Sequence, residues 1–186
     1  MLRTIELRAV LAAVVAIAIL HICATLAAPH LASAPAYSRL AAALPVNTMK
    51  LLPPVTRAAQ PLPFLAPDAR YAMCRFDTSK SPVALNAVLP DVGWSLAIYN
   101  PAGDNIYAAT GQASQETSAA IKLVPSGDRF TGLTPESRGL APSIRQELSI
   151  AVRQGVAIVR APDRGTAYQG LIEAVLAAAS CAPADR

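Results

Sequence analysis

Residues 9–28, AVLAAVVAIAILHICATLAA, form an apolar run in which no side chain is charged at neutral pH. About 20 residues at a rise of roughly 1.5 Å cover the hydrocarbon core of a bilayer, and a helix satisfies its own backbone groups there. Arg3 and Arg8 precede the run with Glu6 as the opposing charge, and a short basic flank stays on the cytoplasmic side. We therefore predict a cytoplasmic N-terminus at residues 1–8, a transmembrane helix at residues 9–28 and translocation of the rest.

A cleavable signal peptide is the alternative, because it also has a basic start, an apolar stretch and a small-residue cleavage site. Residues 25–27 offer such a site inside the apolar run, whereas the site at residues 32–34 is followed by Pro35, which hinders signal peptidase. An uncleaved anchor fits these features better. Ile22 precedes Cys23 where a lipoprotein signal requires a small residue, so a lipoprotein is disfavoured. We expect an inert, buried thiol at Cys23, with reversible acylation as the alternative.

His21 and Thr25 are the polar candidates within the predicted span. An ionisable residue in a membrane is a functional candidate, because hydrocarbon disfavours charge. Thr25 lies one turn after His21, so the two share a helix face. We favour helix pairing or interfacial placement of this pair over proton chemistry.

The composition indicates a protein of the bacterial envelope. The 16 basic residues are mostly Arg, and Ala and Pro are abundant, which is typical of a GC-rich bacterial genome. Together with the predicted topology, this places the C-terminal domain in the periplasm, attached to the inner membrane. The net charge of +4 is scattered, and no basic run is interleaved with aromatic residues, so nucleic acid is excluded as a partner.

Residues 29–67 are rich in Ala, Leu and Pro. Repeated prolines forbid a long helix and a central strand alike. We predict a Pro/Ala-rich stalk and surface wrap, with one short helix near residues 37–43, that lifts the domain off the membrane. The domain itself is predicted at residues 68–186, and its length suits a single hydrophobic core.

The first part of this domain has the period of two that is typical of strands. In residues 68–77 one face carries Ala72, Cys74 and Phe76, and the other carries Tyr71, Met73, Arg75 and Asp77. Residues 83–89 and 119–124 are predicted as further strands. Residues 93–100 and 105–110 are predicted as a hairpin, with Trp94, Leu96 and Ile98 on one face and with Tyr99 near Tyr107 across the ladder.

The second part ends in a helix. Residues 148–152 and 156–160 are predicted as a second hairpin, and short helices are allowed after residues 134–136 and after Pro142. The final helix follows Thr166, its predicted cap, and its apolar stripe comprises Ala167, Tyr168, Leu171, Ile172, Val175, Leu176 and Ala179. The predicted fold class is α+β: an N-terminal transmembrane helix followed by an antiparallel sheet domain with a packed C-terminal helix.

Two cysteines lie beyond the predicted span, Cys74 in the first strand and Cys181 after the last helix. An even, widely spaced pair in an oxidising compartment most simply forms a disulfide, and reactive or metal-binding thiols are the alternative. Closing so long a loop contributes on the order of 4 to 5 kcal/mol in the chain-entropy model. We expect the bond to pin the last helix onto the sheet.

No pattern for catalysis, a metal or a cofactor stands out. The second histidine, His30, falls in the predicted stalk, which disfavours histidine-based metal clusters and catalytic triads. Arg75 and Asp77 share a strand face and are candidate ligand-facing residues, although a solvated ion pair explains them as well. Trp94 and Tyr99 complete this candidate cleft, and packing in the core is their ordinary alternative.

Several segments together resemble a known family: the span with a late His21-Ile22, AYSRL at residues 36–40, YAMCRFD, GWSLAIYNPAGDNIYAA, GVAIVRAP and the final AASC. They are similar to the short, single-pass membrane-anchored form of the bacterial family called domain of unknown function 1254. That family has no assigned activity. The resemblance implies a membrane partner from the neighbouring uncharacterised family numbered 1214, and its matching cysteines support the disulfide.

Two hypotheses for function follow. The favoured one is a non-enzymatic envelope interaction or assembly module that binds a partner through its transmembrane helix and sheet surface. The alternative is an envelope enzyme or small-molecule-binding protein with a cleft near Arg75, Asp77, Trp94 and Tyr99.

Overall fold

The computed structural model describes residues 2–31, 36–56, 60–125 and 148–184. The chain divides into two compact units, Met1–Ala34 and Pro35–Arg186. Helix α1 (Leu2–Leu31) forms the first unit and contains an apolar stretch of 23 residues, Glu6–Ala28. None of that stretch is buried inside the protein, and its length and composition suffice to cross a membrane. The predicted N-terminal apolar helix is confirmed.

In its described residues, the second unit contains two sheets and two helices, so the predicted α+β class is confirmed. Its elements are α2 (Ala36–Ala43), β1 (Lys50–Leu51), β2 (Ala69–Asp77), β3 (Val83–Leu89), β4 (Ser95–Tyr99), β5 (Asn105–Thr110), β6 (Thr117–Val124), β7 (Leu148–Ala151), β8 (Gln154–Pro162), α3 (Thr166–Ala178) and β9 (Ser180–Pro183). The helices predicted after residues 134–136 and after Pro142 lie outside the described residues.

The first sheet has five strands in the order β1-β2-β8-β4-β5, and all of its pairs are antiparallel. Strands β2 and β8 form its longest ladder, from Ala69 opposite Pro162 to Asp77 opposite Gln154. The predicted alternation in β2 is confirmed: Cys74 and Phe76 belong to the main core, and Met73 belongs to a second cluster on the other face. Strand β2 is therefore buried on both faces.

The second sheet has four strands in the order β7-β6-β3-β9. Its inner face and that of the first sheet enclose the main core, to which both sheets contribute alternating apolar residues such as Leu85 and Leu96. Strands β6 and β7 run parallel, so the second sheet is mixed, whereas the prediction gave antiparallel pairing alone.

The predicted hairpin of residues 148–152 and 156–160 is wrong. Strand β7 pairs with β6 in the four-stranded sheet, and β8 pairs with β2 and β4 in the five-stranded sheet. The chain changes sheets at Val152, which is buried and whose carbonyl accepts a hydrogen bond from the buried Thr78 hydroxyl. Gly155 is a strand residue and not a turn residue, and a Cβ there would collide with the carbonyl oxygen of Tyr99 and the ring of Phe76.

The first predicted hairpin, β4 with β5, is confirmed, but its two tyrosines do not pair. Tyr107 lies opposite Ile98, and a register shift places Asn105 opposite Tyr99. Tyr107 packs against the main core with Ile98, whereas Tyr99 occupies the other face of the sheet. The β-bulge, which sequence periodicity does not report, separates them.

Helix α3 buries less of its predicted stripe than expected. Ile172 and Leu176 are buried in the main core, but Tyr168 and Leu171 are 48% and 60% exposed. Thr166 is not the cap: Gly165 precedes the helix with a φ of 93° and makes no side-chain capping bond.

Residues 36–56 and 60–67 pack on the outer face of the five-stranded sheet, which corrects the predicted stalk. The predicted short helix in this segment is α2, and Leu40, Leu44 and Leu52 are 3%, 5% and 7% exposed. They join Tyr71 and Met73 of β2 in the second apolar cluster. The prolines block regular structure, but the leucines between them bury apolar surface, so the compact unit starts at Pro35 and not at Asp68.

The predicted disulfide between Cys74 and Cys181 is confirmed, with the two Cα atoms 6.4 Å apart. Cys74 lies in β2 of the five-stranded sheet, and Cys181 lies in β9 of the four-stranded sheet opposite Leu85. The bond therefore joins the two sheets across the core, in addition to fixing the chain that follows α3.

We predict that the double substitution Cys74→Ala with Cys181→Ala lowers the free energy of unfolding by about 4 to 5 kcal/mol, because the disulfide closes a very long loop in the unfolded chain. The cysteines are separated by 107 positions. Urea unfolding of the full chain in detergent measures the loss. Cys23→Ala, which removes the free thiol, serves as the control. Equal unfolding midpoints for the double variant and the control would contradict the prediction.

Candidate functional site

Three of the four predicted ligand-facing residues share the outer face of the five-stranded sheet. Arg75 of β2 lies opposite Val156 of β8, and Val156 lies opposite Tyr99 of β4, so these three residues form a row across the sheet. Two strand spacings separate the ends of the row, which is about 10 Å between Cα atoms. Asp77 is two residues further along the same face of β2.

Trp94 is not ligand-facing. Its side chain is 5% exposed and belongs to the main core with Leu96 and Ile98, on the opposite face of the sheet from Tyr99. The backbone carbonyl of Trp94 accepts a hydrogen bond from the Gly111 amide, which holds the start of the hairpin. The predicted alternation of this strand already put Trp94 on the face of Leu96 and Ile98, which is inconsistent with a place beside Tyr99 in the cleft.

A cleft of about 300 Å³ lies on the outer face, beside the row. Helix α2 forms one wall with Ala36, Tyr37 and Leu40, and Leu62 of the following segment adds to that wall. The wall is fixed in place because Leu40 is buried, and because the Ala66 amide donates a hydrogen bond of 3.1 Å to the Tyr71 hydroxyl.

The floor and the opposite wall come from the sheet. Val156 and Ile158 of β8 form the floor, and Tyr99, Asn100 and Gly103 form the wall at the β4–β5 hairpin. The hairpin is held by reciprocal bonds, in which Asn100 donates from Nδ2 to Asp104 and accepts at Oδ1 from the Asp104 amide. Most of the lining is therefore apolar, with two tyrosines among the aliphatic side chains.

The charged residues beside the cleft are committed to the fold. Arg75 donates from Nη1 to the Ala41 carbonyl at 2.6 Å, which ties β2 to the end of α2. The Asp77 carboxylate accepts bonds of 2.8 Å from the Ser79 amide and from Gln154 Nε2. No salt bridge joins Arg75 to Asp77 in the described part of the chain, so the alternative of a solvated ion pair is wrong.

The pKa values near the cleft have local causes. The hydrogen bonds from the Ser79 side chain and amide hold the pKa of Asp77 below its ordinary value. Burial opposes this lowering, and the hydrogen bond from Gln154 and the charge of Arg153 add to it. Burial raises the pKa of Tyr37; the Arg75 charge opposes this rise and the Asp77 charge adds to it. At neutral pH, Asp77 is thus a carboxylate and Tyr37 a protonated phenol that can donate a hydrogen bond.

Tyr37 is the residue of the cleft that the sequence analysis missed. The helix that carries it was predicted, but the surrounding prolines suggested a stalk and not a layer on the sheet. Tyr37 lies three residues before Leu40 and seven before Leu44, and this helical spacing was the available signal of an apolar face that packs on another surface.

His21 and Thr25, the polar pair of the apolar helix, lie in the first unit. The Thr25 hydroxyl donates to the carbonyls of His21 at 2.7 Å and Ile22 at 2.9 Å, so its donor is satisfied inside the helix. Cys23 is an exposed free thiol on that helix and is not buried in the protein. Among the described residues, no group of three His, Cys, Asp or Glu side chains is placed to hold a metal ion.

The similarity of this chain to known proteins is a similarity of fold. No family model matches the chain, and no curated protein matches it. The crystal structure of the VPA0106 protein from Vibrio parahaemolyticus is similar with a TM-score of 0.51 and 12% identity, over 80% of this chain and 34% of that one. An uncharacterised protein from Burkholderia cenocepacia has a TM-score of 0.36 and 14% identity, over 65% of this chain and 32% of that one.

The chain thus spans about a third of the length of these solved structures. At this level of identity, the likeness to the Vibrio protein concerns the fold alone.

We predict that Asp77→Asn lowers the free energy of unfolding by about 1 kcal/mol at neutral pH, because the charged acceptor of two hydrogen bonds is lost. Since the pKa of Asp77 is lower in the folded state, its contribution is complete above the unfolded pKa of about 3.9 and is lost as the pH falls through the folded pKa. Urea unfolding at pH 7 and near pH 2 measures the difference.

Gln154→Ala, which removes one of the two donors, should show a smaller effect with the same dependence on pH. A gap between the wild type and Asp77→Asn that is as large near pH 2 as at pH 7 would contradict this assignment.

Proposed function

We propose that this chain is a single-pass protein of the bacterial inner membrane, with residues 1–8 in the cytoplasm and the second unit, a sandwich of two sheets, in the periplasm. We further propose that this sandwich is a non-enzymatic interaction module. The observation that carries the proposal is the apolar stretch Glu6–Ala28, none of which is buried by the rest of the chain. Water disfavours so much exposed apolar surface on a helix, whereas lipid accommodates it. The disulfide supports an oxidising compartment for the second unit.

An interaction role is supported by the edge of the five-stranded sheet. Within the described part of the chain, β5 pairs with β4 on one side only, and its sequence NIYAAT contains neither a charged residue nor a proline. Edge strands of soluble proteins are normally protected by such residues, because an unprotected edge pairs with other strands. Strand β5 is therefore the surface where we place the partner's strand.

The proposal includes membership of the family called domain of unknown function 1254 and a membrane partner of the family numbered 1214. In support, the segments that carry the resemblance coincide with the main structural features. The segment GWSLAIYNPAGDNIYAA forms the β4–β5 hairpin, and the two cysteines of the resemblance form the disulfide between the sheets.

A small-molecule-binding role is the second candidate, and the cleft on the outer face favours it. Arg75, Tyr99 and the newly assigned Tyr37 lie at or beside a cavity of about 300 Å³, which is the lower end of the size range for ligand pockets. We favour binding over catalysis at this site because Asp77 and Arg75 are engaged in bonds that hold the fold.

We predict that the full chain stays in the membrane fraction after alkaline extraction and that its intact mass includes residues 1–28. A phosphatase fused after residue 186 should be active, since it requires an oxidising periplasm to fold. Release at high pH, or a mature chain that begins after residue 28, would contradict the anchor. An inactive phosphatase fusion would contradict the topology.

We further predict that purification from mildly solubilised membranes recovers a protein partner in fixed proportion, and that Ala108→Lys on β5 reduces its recovery by roughly fivefold, because a lysine on an edge strand opposes pairing. The control is Asn86→Lys, an exposed position on β3 that already pairs with Ala120 of β6 and with Ser180 of β9. Recovery of the chain alone, or equal losses in the two variants, would contradict the interaction role.

A further inference from the structure

The cleft between α2 and the β4–β5 hairpin has the shape and lining of a site for a hydrocarbon chain. Its floor is aliphatic, Val156 and Ile158, and Leu40 and Leu62 continue the aliphatic surface up one wall. At the packing density of proteins, a volume of about 300 Å³ holds roughly ten methylene groups. This is part of one acyl chain, and it is too small for a folded segment of another protein.

The electrostatics of the cleft favour an uncharged group inside it. The residues that line the cleft are uncharged, and Arg75 and Asp77 lie outside this lining. A charged group placed inside the cleft would lose its hydration without gaining a counter-charge from the lining. The phenols of Tyr37 and Tyr99 supply hydrogen-bond donors, which suit the ester carbonyl of an acyl chain.

The sequence also indicates where such a chain would come from. Residues 29–35 connect the apolar stretch that ends at Ala28 with α2, which forms a wall of the cleft. Helix α1 ends at Leu31, and the five steps from Leu31 to Ala36 reach at most about 18 Å. Whatever the arrangement of the two units, a span embedded in a bilayer keeps membrane lipid available to α2.

We infer that the cleft on the outer face of the five-stranded sheet binds one acyl chain of a membrane glycerophospholipid, with its ester group at the tyrosines. This inference rests on the proposed membrane attachment. It assigns to α2 and the segment around Leu62 a binding role in addition to their packing on the sheet.

Photo-crosslinking of the full chain tests the inference. The protein with Leu62→p-benzoylphenylalanine is reconstituted into nanodiscs of dimyristoylphosphatidylglycerol and irradiated, and its intact mass is measured. We expect an adduct of one lipid molecule per chain. The matched control carries the same substitution at Tyr168, an exposed aromatic residue of α3 outside the cleft, and should give at least tenfold less adduct.

Filling the cleft provides the second arm. Ala36→Trp, at an exposed lining position of α2, should reduce the adduct at position 62 at least fivefold. Ala42→Trp, an exposed position of the same helix that does not line the cleft, should leave the adduct unchanged. Non-reducing mass spectrometry of the Cys74–Cys181 bond verifies that each variant is folded.

The outcomes separate this inference from the proposed function. Absence of an adduct, equal adducts at positions 62 and 168, or no effect of Ala36→Trp in chains that co-elute with the nanodiscs would overturn the acyl-chain site while leaving the anchor intact. Chains that fail to enter nanodiscs would overturn the anchor itself. An adduct that forms from p-benzoylphenylalanine at position 62, at least tenfold more than from position 168, and that falls at least fivefold with Ala36→Trp supports the site.

Discussion

Strand β2 is covered on both faces. The main core packs on its inner face, and the cluster that includes Leu40 of α2 packs on its outer face. Its inner face contributes Phe76 to the main core, and its outer face contributes Met73 to the cluster under α2. Both side chains are fully buried, and burial of a side chain of this size stabilises a fold by roughly 1.5 to 3 kcal/mol. The two-sided cover explains why both faces of this strand carry buried apolar side chains.

Strand β8 is the middle strand of the five-stranded sheet and contributes to both the main core and the outer cleft. It lies between β2 and β4, and its glycine at position 155 leaves room for the Phe76 ring on one side and the backbone of Tyr99 on the other. Beyond that glycine, Val156 and Ile158 form the floor of the outer cleft. At the far end of β2, the buried Arg70 forms a salt bridge of 2.9 Å with Glu173 and so connects the sheet to α3. Packing and charge thus hold the helix on the same strand that supports the cleft.

Local patterns predicted the local parts of this fold. Alternation in residues 69–77 and 95–99 gave both strands and the correct face for Trp94, and the cysteine count gave the disulfide. Strand partners could not be predicted in the same way: β7 and β8 are neighbours in sequence, yet they belong to different sheets because buried Val152 carries the chain across the core. Strand β9 has four residues and no periodic signal of its own.

The candidate site was predicted in part for the same reason. Arg75, Asp77 and Tyr99 share a face, and period two is sufficient to show this within each strand. The wall opposite them comes from a proline-rich segment whose leucines are spaced to cover a sheet, but sequence does not say which sheet face needs covering. Tyr37 lines the site because two segments that are distant in sequence pack together, and local sequence patterns do not predict such contacts.

The order of the strands has a consequence for biogenesis. Strand β2 gains its main neighbour from β8, and β3 lies between β6 and the late strand β9. The disulfide partners are 107 positions apart, and a ribosome adding 5–20 residues per second needs roughly 5 to 20 s to cover that distance. For that interval a chain emerging from its N-terminus displays two apolar strand faces and a reduced Cys74 with no cognate thiol. Until Cys181 is synthesised, chaperones and other thiols therefore have access to apolar strands and to a cysteine that are buried in the finished fold.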